Sequence, residues 1–199
     1  MSGQSSISVL PSAAASSAIS LYARRTEGYE ERVEATIAQL RQAALEHPGS
    51  IVQATSLGAE DMVLTDLIAK LGLPIAIGTL QTGKLHDETL ALIPRIEEQY
   101  QLPVEVYEPV NVAVVHFVRD HGERAMYESI ALRKACCAVR KLEPLSRMLK
   151  DRSAWVTGMR REQSNNRGAV GFSESDDQGR QKVNPLADWS WADVWHYIR

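Results

Sequence analysis

The sequence predicts an α/β fold, a mostly parallel sheet with helices on both faces. Three observations predict it. Four short β-prone runs alternate with stretches of helical periodicity, the signature of repeated strand–helix units. Gly, Pro or Ser punctuates most of the changes. The 199 residues are 44% apolar and 24% charged, which suits one globular core.

Residues 1–20 contain eight Ser, four Ala and no charge, and Arg24 is the first charged residue. They lack the basic start and continuous apolar core of a signal peptide. Residues 1–25 therefore read as a flexible Ser/Ala-rich tail, and 26–199 as one α/β domain. Residues 27–46 place Val33, Ile37, Leu40 and Ala44 on one helical face, and His47-Pro48-Gly49 stops that helix. Residues 51–55 form a strand, 56–59 a turn, and 60–71 a helix with acids in its first turn that ends at Gly72. A second strand spans 74–80. One helix is expected over 86–100, with a kink at Pro94. A third strand covers 104–107, helices 111–120 and 136–150, and a fourth strand 154–157. Residues 168–181 read as a polar Gly/Ser-rich loop able to order over a ligand. Asp188 to Trp195 reads as a capped aromatic helix whose tryptophans serve the core.

The net charge of −3 argues against a general nucleic-acid binder, and no apolar run reaches the length of a membrane span. The two cysteines, Cys136 and Cys137, are adjacent and make no disulfide framework, which points to a reducing, cytoplasmic setting. Charge is uneven. Residues 133–167 hold ten Lys/Arg against three acids, so a +7 island sits in a chain that is −10 elsewhere. Such an island reads either as a site for a small anionic ligand or as clustered helix-surface charge.

In this architecture ligands sit in the loops after the strands. Four segments invite weighing. Ser56-Leu57-Gly58-Ala59-Glu60-Asp61 reads as an anion-facing turn at a helix N-terminus, or as a plain turn capped by Ser56. Gly78 to Lys84 nearly spells a phosphate-binding G-x-x-x-x-G-K loop. Leu85 replaces the metal-binding hydroxyl and Gly78 falls inside the strand, so that reading is rejected. A nucleotide-facing loop with Thr82, Gly83, His86 and Glu88 remains. Cys136-Cys137 reads either as two buried small side chains or as metal ligands, to which the flanking cations Arg133, Lys134, Arg140 and Lys141 are suited. Gly158 to Arg167 carries Arg160, Arg161 and Arg167 with Gln, Ser and Asn, a donor set matched to phosphate and sulfate oxygens. Its plainer reading is a solvated basic loop.

Five motifs in order then carry a resemblance: SLGAED at 56–61, TGKLHDET at 82–89, CCAVRKLEPL at 136–145, TGMRREQSNNR at 157–167 and NPLADWSWADVW at 184–195. Over roughly residues 30–199 the chain resembles the assimilatory sulfonucleotide reductases, specifically the adenylyl-sulfate (APS) branch of the PAPS reductase family. The resemblance implies a Rossmann-like, adenine nucleotide α-hydrolase-like fold. It implies substrate contacts from Ser56, Gly58, Glu60, Asp61, Thr82, Gly83, His86, Arg160, Arg161 and Arg167. Cys136 and Cys137 look like half of a [4Fe–4S] site, the pair that separates the APS branch from the cluster-free PAPS branch. Lys141 matches the lysine between cluster and substrate.

The reaction implied is attack by a C-terminal cysteine on the sulfate sulfur. It expels AMP and leaves an S-sulfocysteine that thioredoxin or a similar dithiol cleaves to sulfite. The family's second Cys pair and its C-terminal cysteine have no counterpart after Cys137. The expectation is a C-terminally truncated chain with no catalytic cysteine that binds substrate weakly and does not turn over. Gln81 stands where the family usually has Asp. Rival readings are a PAPS reductase, a pyrophosphatase-type nucleotidyl transferase, whose loop Leu57, Ala59 and Glu60 break, and a non-catalytic nucleotide-binding remnant. A homo-oligomer is left open.

Overall fold

A computed structural model describes residues 17–163 and 170–199. The four expected strands form: β1 (Ile51–Thr55), β2 (Ala76–Leu80), β3 (Val104–Tyr107) and β4 (Ala154–Val156). All pair in parallel, with β1 between β2 and β4. Two further strands correct the loop expected over 168–181. β5 (Ser173–Ser175) and β6 (Gln181–Val183) form a hairpin, β6 parallel to β4 and β5 antiparallel to β6. Three-residue runs such as Ser-Glu-Ser have no apolar alternation to reveal them. Asp176 closes their turn instead, its carboxylate accepting the amides of Gln178 and Arg180 at 2.9 and 3.0 Å.

The sheet order is β3-β2-β1-β4-β6-β5. The chain steps outward from β1 to β3, then returns to the other side of β1 to lay down β4. The reversal between β1 and β4 is the topological switch point, where open α/β sheets bind ligands.

The helices follow from local chemistry. α1 (Ala18–Tyr22) is a single turn capped by Ser17, inside the segment read as a tail, and Tyr22 meets the ring of Trp191 at 6.1 Å. In α2 (Tyr29–Glu46) the predicted face holds: Leu40 and Ala44 are buried, with Val33 and Ile37 packed against the same core. α3 (Ala59–Lys70) carries Glu60 and Asp61 in its first turn, where they complement the helix dipole. The helix expected over 86–100 is instead two, α4 (Asp87–Leu90) and α5 (Leu92–Tyr100). Pro94 has no N–H for the Leu90 carbonyl and its ring crowds that group, so the break falls at Ala91 rather than at Pro94. α6 (Asn111–His121) leads to α7 (Ile130–Cys137), which starts six residues earlier than expected, capped by Ser129. A π-helical turn, Ala138–Leu142, joins α7 to α8 (Glu143–Met148), whose Pro144 cannot donate to the Arg140 carbonyl. α9 (Trp191–Ile198) opens on a reciprocal cap between Ser190 and Asp193.

Strand alternation divides the core between the two faces. Ile51, Ile77, Val156 and Val183 pack with Leu40, Val63, Leu64, Ile68, Ile96 and Val194 from α2, α3, α5 and α9. Val52, with Ala54, Leu80 and Trp155, packs on the other face against Met148 and Leu149. Each fully buried Leu or Ile contributes roughly 1.5–3 kcal/mol, so the first face dominates stability. Trp189 is 2% exposed and belongs to that core, as expected, but it precedes α9, which runs three residues later than expected, and Trp191 and Trp195 on that helix are only half-buried. No helix among the described residues is long and apolar enough to cross a membrane.

Candidate functional site

The crevice at the switch point is built around Asp61. The backbone N–H and the hydroxyl of Ser56 donate to Oδ2 of Asp61 at 2.6 and 2.7 Å, and the Gly158 N–H donates to Oδ1 at 3.1 Å. One carboxylate therefore ties the end of β1 to the end of β4. Its backbone carbonyl is held in turn by Gln53 Nε2 and the Thr65 hydroxyl, at 2.8 and 3.0 Å. Burial pushes the Asp61 carboxyl above its ordinary pKa, and the bonds from Ser56 and Gly158 oppose that rise. Leu57 takes a left-handed backbone with φ +63°, which costs about 1–3 kcal/mol. Burial of its side chain, 4% exposed, offsets that cost and fixes the turn that presents Ser56 and Gly58. Gly158 is obligatory: a Cβ there would stand 2.4 Å from Asp61 Oδ1.

Glu60 and Arg160, expected as separate substrate contacts, are bonded to each other. Arg160 Nε and its terminal NH2 nitrogen both reach Glu60 Oε1 at 3.0 Å, and Gln163 Nε2 donates to the same oxygen at 3.0 Å. The NH1 nitrogen of Arg160 donates to Glu162 at 2.7 Å, and the guanidinium lies 5.3 Å from the Trp191 ring centroid. Glu162 also accepts the Trp191 N–H at 2.7 Å, pinning this loop to the start of α9. Arg161 turns towards the hairpin. It pairs with Asp188, donates to the Val170 carbonyl at 2.7 Å and lies over Phe172, away from Asp61. Arg167 lies outside the described residues.

At the end of β2, next to β1, Thr82 is buried and Gly83 adopts φ +70°. Arg140, from the π-helical turn, reaches across and donates to the Thr82 carbonyl at 2.8 Å. A Cβ on residue 83 would meet that guanidinium at 3.0 Å. Arg140 is 9% exposed, and no carboxylate pairs with it among the described residues. Cys136, one helical turn earlier, is buried and Cys137 half-buried, both as free thiols. Lys141 is exposed on the same turn. His86 stands exposed at the cap of α4, its carbonyl accepting the amides of Thr89 and Leu90.

Two thiols side by side with cations nearby have the donor chemistry of an iron–sulfur site. The donor count stops there. Among the described residues no group of three or more His, Cys, Asp or Glu is placed to hold a metal.

The structure thus gathers Ser56, Gly58, Glu60, Asp61 and Arg160 at one strand end. It gathers Thr82, Gly83 and the Cys136 turn at the neighbouring one. It adds residues that the sequence reading placed in these motifs but not among the substrate contacts: Thr157, Gly158, Met159 and Gln163 in the crevice, and Arg140 at the loop. The first four lie at the end of a predicted strand and in the loop that follows it, which was the available signal. The crevice has about 180 Å³, less than a whole nucleotide occupies. Larger cavities of about 670 and 490 Å³ lie along α3, α5 and α9; the second reaches Leu57 and Ala59 of the turn, but neither is lined by a residue expected to contact substrate.

Residues 50–199 match the phosphoadenosine phosphosulfate reductase domain. The chain is 48% identical over 170 residues, 85% of its length, to an adenosine 5'-phosphosulfate reductase of Burkholderia cepacia, covering 66% of that protein. It is 52% identical over 151 residues, 75% of its length, to one from Allochromatium vinosum, covering 59%. It spans less than two thirds of the length of these curated relatives. Among solved structures it is similar to a phosphoadenylyl-sulfate reductase from Candida auris, solved as a phosphate complex, with TM-score 0.67 and 26% identity over 88% of this chain and 86% of that one. An FMN adenylyltransferase from Candida glabrata, in complex with ATP, shares the fold at TM-score 0.53 and 16% identity, over 91% of this chain and 60% of that one. The predicted Rossmann-like, adenine nucleotide α-hydrolase-like fold is borne out.

Proposed function

We propose a function from one premise: the chain belongs to the phosphoadenosine phosphosulfate reductase domain family. Its site takes adenylyl sulfate, and the reaction it serves is thiol-dependent reduction of that substrate to sulfite and AMP in sulfate assimilation. One observation carries the reading. Neighbouring strand ends present an acid-lined crevice at Glu60 and Asp61 and a cation-lined loop at Thr82, Gly83 and Arg140.

Charge orients the ligand. Asp61 has no cation bonded to it among the described residues and disfavours a phosphosulfate, and the Glu60 oxygen not bonded to Arg160 can accept from a ribose hydroxyl or an adenine amine, so the nucleoside occupies the crevice. The phosphosulfate then extends towards Arg140, whose charge has no carboxylate partner among the described residues. Lys84 and Lys141 add to the field on that side. Asp61 likewise disfavours a 3'-phosphate on the ribose, which supports adenylyl sulfate over its 3'-phosphorylated form. The relatives named for adenosine 5'-phosphosulfate point the same way.

In the reaction a thiolate bonds to the sulfur of the sulfonate as the S–O bond to AMP breaks. Two electrons from a thioredoxin-type dithiol then cleave the S-sulfonate and release sulfite. Arg140 and its neighbours bind and orient the sulfonate. Asp61 keeps the two sides of the crevice in register, and the Arg160–Glu60 pair holds the loop after β4 over it. Cys136 and Cys137 would supply two thiolate ligands to a [4Fe–4S] cluster, which when bound would add an anionic metal–sulfide group to this cationic turn. Free thiols suit a reducing compartment, the cytoplasm.

Calorimetric titration of the chain with AMP, adenylyl sulfate and the 3'-phosphorylated analogue tests this. AMP and adenylyl sulfate bind, and the 3'-phosphate weakens binding. Tighter binding of the phosphorylated analogue transfers the reading to PAPS reduction. Failure to bind any of the three overturns it.

A further inference from the structure

We propose that Trp191 is a positioning residue for the crevice and that the N-terminal segment seats it there. This role rests on the crevice being the nucleoside site. Arg160 is the link. Its side chain is 5% exposed, and its guanidinium is engaged on both sides: Nε and NH2 with Glu60, NH1 with Glu162 and the Trp189 carbonyl. Bonds of this kind lie in the guanidinium plane and leave it free to tilt. The Trp191 ring, its centroid 5.3 Å from Arg160 Cζ, closes the open face. A cation held against an aromatic face is attracted by it, and water kept from that face strengthens the ion pair with Glu60. With the tilt set, Glu60 is bonded to Arg160 through Oε1, and its other oxygen stays available to a ribose hydroxyl or an adenine amine.

Trp191 is itself held from outside. It stands half-buried at the first position of α9, and its backbone N–H donates to Glu162. Two rings flank its indole: Trp195, one turn later, edge-on at 5.4 Å, and Tyr22 of α1 at 6.1 Å. Tyr22 comes from the segment whose composition reads as a tail. A helix of five residues is too short to persist alone, and α1 buries none of them, so its seat against Trp191 is what places it. The same segment fastens the start of α9. Asp193, its side chain 1% exposed, accepts the Thr26 hydroxyl and pairs with Arg32 at 3.2 Å while it closes the cap on Ser190. Residues 22–32 thus fix both the ring and the helix end that carries it. The line into the crevice runs from Tyr22 through Trp191 and Arg160 to Glu60. It requires an aromatic ring at residue 191, because an aliphatic side chain fills the space without attracting the guanidinium.

Urea denaturation of the full 199-residue chain tests the coupling without a ligand. Trp191→Leu lowers stability, and its effect on the unfolding equilibrium constant is at least about threefold smaller when Glu60→Gln is already present. Calorimetry reads the consequence for the site. Trp191→Leu weakens AMP binding about three- to tenfold, whereas Trp191→Phe stays within about twofold of wild type. Tyr22→Ala, which removes only the outer ring, weakens it about twofold. Trp191 is half-buried and Tyr22 is 45% exposed, so circular dichroism shows all three single variants folded. Additive losses in the urea cycle overturn the proposal. So does a Trp191→Phe chain that binds AMP as weakly as Trp191→Leu, which would make residue 191 a packing position. Wild-type affinity in Tyr22→Ala overturns the part assigned to α1. A wild-type chain that binds no AMP but keeps the urea coupling overturns the nucleoside reading of the crevice, and leaves Trp191 as the residue that positions Glu60.

Discussion

The carboxylate of Asp61 accepts the Gly158 N–H at 3.1 Å, and any side chain on residue 158 would collide with that same oxygen. The two residues are 97 positions apart, and their contact sets the width of the crevice between β1 and β4. Gly158→Ala has to open it. The expected result is a loss of about 1–3 kcal/mol in stability, the range for an unsatisfied buried acceptor, together with weaker AMP binding. Asp61→Asn places an amide N–H against donors on one side and costs a similar amount. Urea denaturation and AMP titration of both variants check this. Unchanged AMP affinity in a folded Gly158→Ala protein would show that the crevice is not where the nucleoside binds.

The Glu60–Arg160 pair is a buried ion pair, its side chains 14% and 5% exposed. Removing one partner leaves the other uncompensated. Glu60→Gln and Arg160→Met are each expected to destabilise by roughly 3–5 kcal/mol, and the double variant by much less than their sum. A double-mutant cycle by chemical denaturation measures the coupling. Additive losses would mean that Arg160 is held by Glu162 and Trp191 rather than by Glu60.

These two contacts mark where sequence reading reached its limit. The strand–helix alternation was legible because buried strands such as Ile51–Thr55 and apolar helices such as α3 declare themselves by composition. The β5–β6 hairpin was not, since Ser173–Ser175 pairs through backbone atoms and carries no periodic signal. The loops of the site were legible as loops. That Glu60 and Arg160 would satisfy each other was not, because only the fold brings residues 100 positions apart within 3.0 Å. Arg140 was visible as a cation near the cysteines, but its reach to the Thr82 carbonyl depends on the π-helical turn that Pro144 imposes.

Asp66 gives the fold a pH dependence. Burial pushes its carboxyl up, but hydrogen bonds from Lys70, Tyr197 and Tyr100 outweigh this and hold it below the usual range. A carboxyl lowered in the folded state contributes stability above its unfolded pKa of ~3.9, and that contribution is lost as pH falls through the folded value. Tyr100 is pushed up to about 12 by burial and by Asp66. Its contribution is complete below the unfolded value of ~10 and is lost as pH rises towards 12. Asp66→Asn is expected to cost about 1–3 kcal/mol at neutral pH and to flatten both limbs. Thermal melts from pH 3 to pH 11 check this. A variant that keeps the wild-type acid limb would assign that limb to another group, Asp193 being the next candidate, also held low by its partners.

Cys136 and Cys137 make the last prediction, which separates a cluster from two ordinary thiols. They end α7 directly before the turn that carries Arg140 and Lys141, so an anionic group bound there faces cations rather than acids. Anaerobically purified chain, reconstituted with iron and sulfide, is expected to hold iron and acid-labile sulfide in equal amounts. Cys136→Ser and Cys137→Ser should each reduce both to background. AMP binding should survive both substitutions, because Asp61, Ser56 and Gly158 form the crevice without either thiol. About four irons per chain would mean that ligands beyond the pair complete the site within one molecule. About two would mean a cluster shared between copies. No iron in the wild-type chain would leave the pair as plain thiols, and Arg140 would then act on the sulfonate alone.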